Sequence, residues 1–145
     1  MRHPTAGDEA PFECPPVLNG LRVLVVDDEV DVPHLLTAVL SLCGAEVVAV
    51  ASVAEAMAAI QQRQPDIVVS DIEMPREDGY SLIRKLRATE AEHGGRVPAI
   101  ALTAHVRMED RLRALSAGYD AHVAKPVEPA ELVTVIASIV RRISK

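Results

Sequence analysis

An unbroken apolar run, Ile67-Val68-Val69, passes through Ser70 and stops at a carboxylate, Asp71, with Pro65 before it and Pro75 and Gly79 after it. A short apolar run with no polar alternation, bounded by turn residues, reads as a strand buried on both faces, which is the habit of parallel sheets covered by helices. A second stretch has the same form: Leu21-Arg22-Val23-Leu24-Val25-Val26 runs directly into Asp27-Asp28-Glu29. In open α/β sheets, ligands bind outside the carboxyl ends of the strands, so both acidic elements fall where such a fold places its chemistry.

From Leu21 onward, strand-like and helix-like segments alternate through five units, the pattern of βα repeats around a parallel sheet. The first strand, about 21 to 26, leads to a helix following Asp31 and Pro33, with Val32, Leu35, Leu36, Val39, Leu40 and Cys43 at helical spacing and Gly44 as its stop. A strand near 46 to 51 precedes Ser52-Val53-Ala54-Glu55, a capping-box spacing that opens an Ala-rich helix ending near Gln62. The third strand ends at Asp71. Leu82, Ile83 and Leu86 mark the third helix, which ends at His93-Gly94-Gly95, and Ala99 to Thr103 forms the fourth strand. The fourth helix, about 106 to 117, is the least apolar, setting Leu112 and Leu115 against a run of charges, so weak anchoring is expected, and Gly118 closes it. Ala121 to Ala124 is a short fifth strand before Lys125-Pro126. Glu128-Pro129 opens a last amphipathic helix through Leu132, Val135, Ile136, Ile139, Val140 and Ile143. The expected architecture is α/β, a doubly wound five-stranded parallel sheet.

Residues 1–19, with Pro4, Pro11, Pro15 and Pro16, lack either periodicity and read as a flexible tail or linker outside the core, leaving 20–145 as one domain. With 145 residues and 49% apolar composition, one core is the expectation. A net charge of -6 and no cluster of Lys and Arg beyond Arg141-Arg142 argue against a nucleic-acid partner. No apolar run approaches a membrane span and no signal-peptide core is visible, so no membrane partner and a cytoplasmic location are expected. Cys14 and Cys43 suggest neither a disulfide framework nor a zinc site, and Cys43 reads as a core side chain.

In a right-handed parallel sheet the first, third, fourth and fifth strands can all present their carboxyl ends at one edge, bringing Asp27, Asp28, Asp71, Thr103 and Lys125 together. Three close carboxylates repel one another, so the cluster needs raised pKa values or a hard cation with oxygen ligands, for which Mg2+ is the better match and Mn2+ a substitute. Lys125 and the Thr103 hydroxyl suit the stabilisation of a phosphoryl group on Asp71.

Asp27-Asp28, Asp71-Ile-Glu-Met-Pro, Asp78-Gly79, Leu102-Thr103-Ala104, Ala117-Gly118 and Lys125-Pro126, in this order, resemble the receiver domain of two-component response regulators over about residues 20 to 144. The resemblance implies a flavodoxin-like (βα)5 sheet with strand order 2-1-3-4-5, and a phosphoacceptor at Asp71, charged from a histidine kinase, a histidine phosphotransfer protein or a small acyl phosphate. It implies Mg2+ held directly by Asp28 and Asp71, through water by Asp27, and by the main-chain carbonyl of Glu73. Thr103 matches the switch hydroxyl, Lys125 the phosphoryl-pairing lysine, and the Lys125-Pro126 bond one that is cis. The inward-turning Tyr or Phe of the family is replaced by His122. Glu73 and His105 stand at the positions flanking an attacking water, where they are expected to tune hydrolysis. Helix four, strand five and helix five match the face used for homodimers or partners. The run from Ile100 to His105, with Lys125 to Pro129, is most similar to receivers of hybrid histidine kinases. With no output segment after Lys145, a stand-alone receiver and a hybrid-kinase receiver are both arrangements to expect.

Two other functions compete with the phosphoacceptor switch. A haloacid-dehalogenase-type phosphohydrolase also uses a strand-end Asp, Mg2+, a hydroxyl and a lysine, but expects a second Asp where Glu73 stands, and a cap domain. A non-phosphorylated receiver-like binding module would be expected to lose part of the acidic pocket. The expected activity is self-directed phosphotransfer and autodephosphorylation, not turnover of an outside substrate.

Overall fold

A computed structural model describes residues 13–93 and 95–143, without the side chains of His93 and Ile143. Five strands form one parallel sheet: β1 (Arg22–Val26), β2 (Glu46–Val50), β3 (Ile67–Asp71), β4 (Ala99–Thr103) and β5 (Ala121–Ala124), in the order β2-β1-β3-β4-β5. Five α-helices alternate with them: α1 (Asp31–Leu42), α2 (Val53–Gln62), α3 (Gly79–His93), α4 (Met108–Ala117) and α5 (Pro129–Ile143). The expected topology is the observed one.

Strand periodicity divides the core into two layers. Val23 and Val25 of β1 with Ile67 and Val69 of β3 face α1 and α5, packing on Leu36, Leu40, Leu132 and Ile136. Leu24, Val26 and Val68 point the other way, toward Val53, Ala56, Leu82, Ile83 and Leu86 of α2 and α3. Every residue of β3 and β4 is buried, whereas β2 forms a largely exposed edge. The central strands are therefore apolar up to the polar residues near their carboxyl ends, Ser70, Asp71 and Thr103, because neither face meets water.

Register positions the chemistry. Val26 pairs with Ser70, so the next residues, Asp27 and Asp71, emerge side by side. Asp71 pairs with Leu102, setting Thr103 one residue past it, and Thr103 pairs with Ala124, so Lys125 follows on the last strand. Local signals behave as their chemistry dictates. Ser52 Oγ accepts from the Glu55 N–H at 3.2 Å, and the Glu55 carboxylate answers by accepting from Ala51 N–H at 2.9 Å, one residue earlier than a strict capping box.

Three expectations need correction. Cys14 and Cys43 are joined by a disulfide, with Cα atoms 5.2 Å apart. The segment around Cys14 is not outside the core: a 3-10 turn, Pro16–Leu18, buries Leu18 completely and packs Cys14 and Val17 against the α1/α5 layer. The cause is a chain reversal in which Gly20 N–H donates to Gly44 O at 2.8 Å, laying this segment beside the end of α1. The rest of the expected tail, 1–12, lies outside the described residues. Leu35, placed with the apolar positions of the first helix, is 42% exposed and does not anchor it, whereas Leu112 and Leu115 on α4 are 54% and 38% exposed, in keeping with a weakly anchored helix. α4 is held through Ala114, which is 1% exposed.

Candidate functional site

Three strand ends deliver polar groups that the fold buries: Asp27, Asp71 and Thr103 are 2%, 1% and 4% exposed. Buried charge is costly unless paired, and the pairing arrives from β5. Lys125 Nζ lies 3.1 Å from Asp71 Oδ1 and 3.3 Å from Asp27 Oδ2, and also 3.4 Å from Glu29 Oε1. The Lys125–Pro126 bond is cis, as the resemblance implied. The loop after β3 is held close: Gly79 N–H donates to Ile72 O at 2.9 Å, and the buried Tyr119 hydroxyl donates to Gly79 O at 2.7 Å. A Cβ on Gly79 would stand 2.6 Å from the Asp71 carbonyl oxygen, so this position admits no side chain without moving the acid.

Burial raises the Asp71 carboxyl to about 6, with the neighbouring charges of Asp27 and Glu73 pushing the same way and the bond to Lys125 opposing them. Burial also raises Asp27, against the Glu29 N–H at 2.9 Å and the charge of Lys125. For Lys125, burial works to lower the pKa but pairing with Asp71 and Asp27 outweighs it, and the ammonium is held above its ordinary range. One cation thus serves two buried acids. Asp27 Oδ2 is buried without a hydrogen-bond partner, its ion pair with Lys125 aside. Oxygens of Asp27, Asp28 and Asp71 all come within 4.8 Å of one another, and Asp28 is exposed at the rim. An oxygen-only donor set, an unpartnered buried oxygen and a shortage of positive charge fit a hard divalent cation. It would favour the ionised forms of Asp27 and Asp71, which burial otherwise disfavours.

The structure brings together all five residues expected at the strand ends, and adds two relations that spacing did not reveal. Glu29 joins Asp27 and Asp71 as a third acid facing Lys125. The Glu73 side chain turns back across the sheet edge, its Oε2 accepting from Thr103 Oγ at 2.8 Å and its Oε1 from Ala104 N–H at 3.2 Å. The third acid of the Asp27-Asp28-Glu29 run was the available signal for the first; the second depends on loop direction, which no periodicity encodes. Among the two histidines singled out, His105 gives its N–H to Thr103 Oγ at 3.0 Å, and His122 Nε2 lies 3.3 Å from His105 O. Both therefore touch the loop between β4 and α4, and neither imidazole belongs to the acidic cluster.

The arrangement is a buried carboxylate beside one ammonium, with a cation-binding acid group on one side and hydroxyl and N–H donors on the other. This is a site suited to carrying charge on Asp71. The response regulator receiver domain model matches residues 23–137. The chain is 40% identical over 125 residues to the probable transcriptional regulator ycf27 of Cyanophora paradoxa, covering 86% of this chain and 50% of that protein. It is 37% identical over 132 residues to hybrid signal transduction histidine kinase D of Dictyostelium discoideum, covering 87% of this chain and 8% of the kinase. Among solved structures, the receiver domain of Francisella response regulator 1452 superposes with a TM-score of 0.78 at 27% identity, covering 86% of this chain and 99% of that one. The chain thus spans half or less of these two longer relatives while matching an isolated receiver end to end, and it belongs to the response regulator receiver family, the phosphoacceptor switches of two-component signalling.

Proposed function

We propose that Asp71 is the phosphoacceptor of a two-component phosphorelay and that it is charged from a phosphohistidine on a histidine kinase or a histidine phosphotransfer protein. An Asp71 carboxylate oxygen forms the new bond to phosphorus as the bond from phosphorus to the imidazole nitrogen breaks, and the imidazole leaves. The observation that carries this reading is the pairing of a carboxylate only 1% exposed with Lys125 Nζ at 3.1 Å at the end of the central strand. Lys125 offsets charge on the phosphoryl oxygens, and Thr103 with its neighbouring N–H donors receives them. Asp28 and Asp71 directly, Asp27 through water, and the Glu73 main-chain carbonyl would hold Mg2+, with Mn2+ as a substitute; when bound, the ion neutralises charge shared between the acids and the phosphoryl group. The domain acts on its own aspartate by phosphotransfer and autodephosphorylation, with Glu73 and His105 tuning phosphate lifetime.

Thr103 and His122 are the proposed switch residues, read out at the face formed by α4, β5 and α5. Support comes from α4 and its leading loop, where Val106, Met108 and Leu112 are 59%, 67% and 54% exposed, an apolar surface suited to a second copy or a partner. Phosphorylation would shift a pre-existing equilibrium there. The receiver unit is assigned to 20–145 and residues 1–19 to a linker, whose part from Cys14 to Leu18 docks on the domain. No helix among the described residues is long and apolar enough to cross a membrane, which agrees with a cytoplasmic switch.

The test is the intact mass of the protein after incubation with acetyl phosphate, with and without Mg2+, beside Asp71→Asn. A labile phosphoryl adduct that needs Mg2+ and disappears in the variant supports the reading. An adduct that survives in Asp71→Asn contradicts it.

A further inference from the structure

Two donors at the end of β4, beside Asp71, are already occupied by an anion from the chain itself. Thr103 Oγ donates to Glu73 Oε2 at 2.8 Å and Ala104 N–H donates to Glu73 Oε1 at 3.2 Å, so the two oxygens of one carboxylate are held by consecutive residues at the end of β4. That strand lies against β3, with Asp71 and Leu102 in register, which sets both donors beside the acid. The Thr103 hydroxyl is committed further: its oxygen accepts the His105 N–H at 3.0 Å, leaving its single proton for Glu73. Glu73 N–H meanwhile lies 3.3 Å from Asp71 Oδ1, so the backbone of the same residue faces the acid while its side chain faces the donors.

Resting on the reading of Asp71 as phosphoacceptor, we propose that the Glu73 carboxylate is an internal latch, a resident anion occupying the cradle that the phosphoryl oxygens need. One hydroxyl proton and one N–H cannot serve two anions at once, and a carboxylate left beside a phosphoryl group would repel it, so phosphorylation must displace the Glu73 side chain. A cavity of about 470 Å³ borders the latch, lined by Glu73, Thr103, His105, Tyr80, Asp110 and Arg113 among others. It gives the released carboxylate room, and the Arg113 guanidinium, stacked 4.1 Å from the Tyr80 ring centroid, is the cation in that lining. The latch raises the threshold for occupancy of the phosphoryl site and keeps Thr103 turned toward the site beforehand.

The experiment is calorimetric titration of the folded domain with beryllofluoride in the presence of Mg2+, comparing the wild type with Glu73→Ala, Glu73→Asp and Thr103→Ala, and the Glu73→Ala/Thr103→Ala double variant. Glu73→Ala removes charge and acceptor together. Glu73→Asp keeps the charge and withdraws the acceptor from Thr103, so it separates a latch from simple repulsion. Both single variants at 73 are expected to bind beryllofluoride about tenfold more tightly than the wild type, the scale of one charge-assisted hydrogen bond no longer having to be broken. In the Thr103→Ala background the gain from Glu73→Ala should fall below about twofold, as coupled residues behave. Unchanged or weaker binding in Glu73→Ala overturns the latch, and so does tightening in Glu73→Ala with wild-type affinity in Glu73→Asp. Those outcomes leave the assignment of Asp71 standing, because the wild type still binds. Absence of Mg2+-dependent binding in every protein overturns the assignment of Asp71 and the latch with it.

Discussion

Asp71 illustrates how burial converts one residue into a sensor of its own charge. Its folded-state carboxyl, raised by burial to about 6 from an unfolded value of 3.8, binds protons more readily in the native state. The contribution of Asp71 to stability without divalent ions is therefore greatest below about pH 4, falls as the pH rises through 4 to 6, and levels off above, with Asp27 acting in the same direction. Chemical denaturation in chelator across this range should show the fall, and Mg2+ should oppose it by binding the ionised acids. Asp71→Asn should remove most of the fall and stabilise the metal-free protein at pH 7 by about 2 kcal/mol. Lys125→Met has the opposite sign: it strands Asp27 and Asp71 without their shared ammonium and should cost about 3 kcal/mol at pH 7, less at pH 5 where Asp71 is protonated. Equal costs at both pH values would contradict this electrostatic account. The five strand-end residues were legible because each follows an apolar run and strand direction is periodic. Glu29 and the Glu73 side chain were not, because loops set their aim, and the Glu73–Thr103 bond joins residues far apart in the chain.

At the scale of elements, boundaries followed from turn residues and caps, while the buried face of a helix was harder to read. α4 shows why. Its leucines are exposed, and the helix is held through Ala114, a residue with no long side chain for hydropathy to flag, since a small side chain permits close approach. Leu112→Ser should consequently change stability by no more than about 0.5 kcal/mol, whereas Ala114→Leu should cost about 2 kcal/mol through overpacking. Thermal denaturation of the two variants checks both. The first turn before β1 was missed for a different reason. A lone pair of cysteines carries no pairing information until the chain reversal at Gly20 and Gly44 sets Cys14 beside Cys43. Closing a loop between residues separated by 29 positions stabilises by about 3 to 4 kcal/mol in the chain-entropy view, so reduction or Cys14→Ser should lower the melting temperature by several degrees. An unchanged melting temperature on reduction would mean that the Pro16–Leu18 turn holds by its apolar contacts alone.

For the whole molecule, the alternation of segments made a doubly wound parallel sheet legible, while the strand order 2-1-3-4-5 came from the likeness to receiver domains. In that order β4, whose end carries Thr103, lies beside β3 and its Asp71, and α4 is the helix that follows β4. The proposed output follows from this arrangement. Sedimentation of the protein across a concentration series should show self-association strengthened by beryllofluoride and Mg2+, and Met108→Glu, on the exposed side of α4, should weaken it without loss of fold.

The central claim is that phosphorus is carried on one side chain, Asp71, and it can be read chemically. An acyl phosphate on aspartate is reduced by borohydride to homoserine, so the protein would be charged with acetyl phosphate and Mg2+, reduced, digested and sequenced by mass spectrometry. Homoserine at position 71, absent when Mg2+ is withheld, is the predicted result; homoserine at Asp27, Asp28 or Glu73 instead, with residue 71 unmodified, would contradict it.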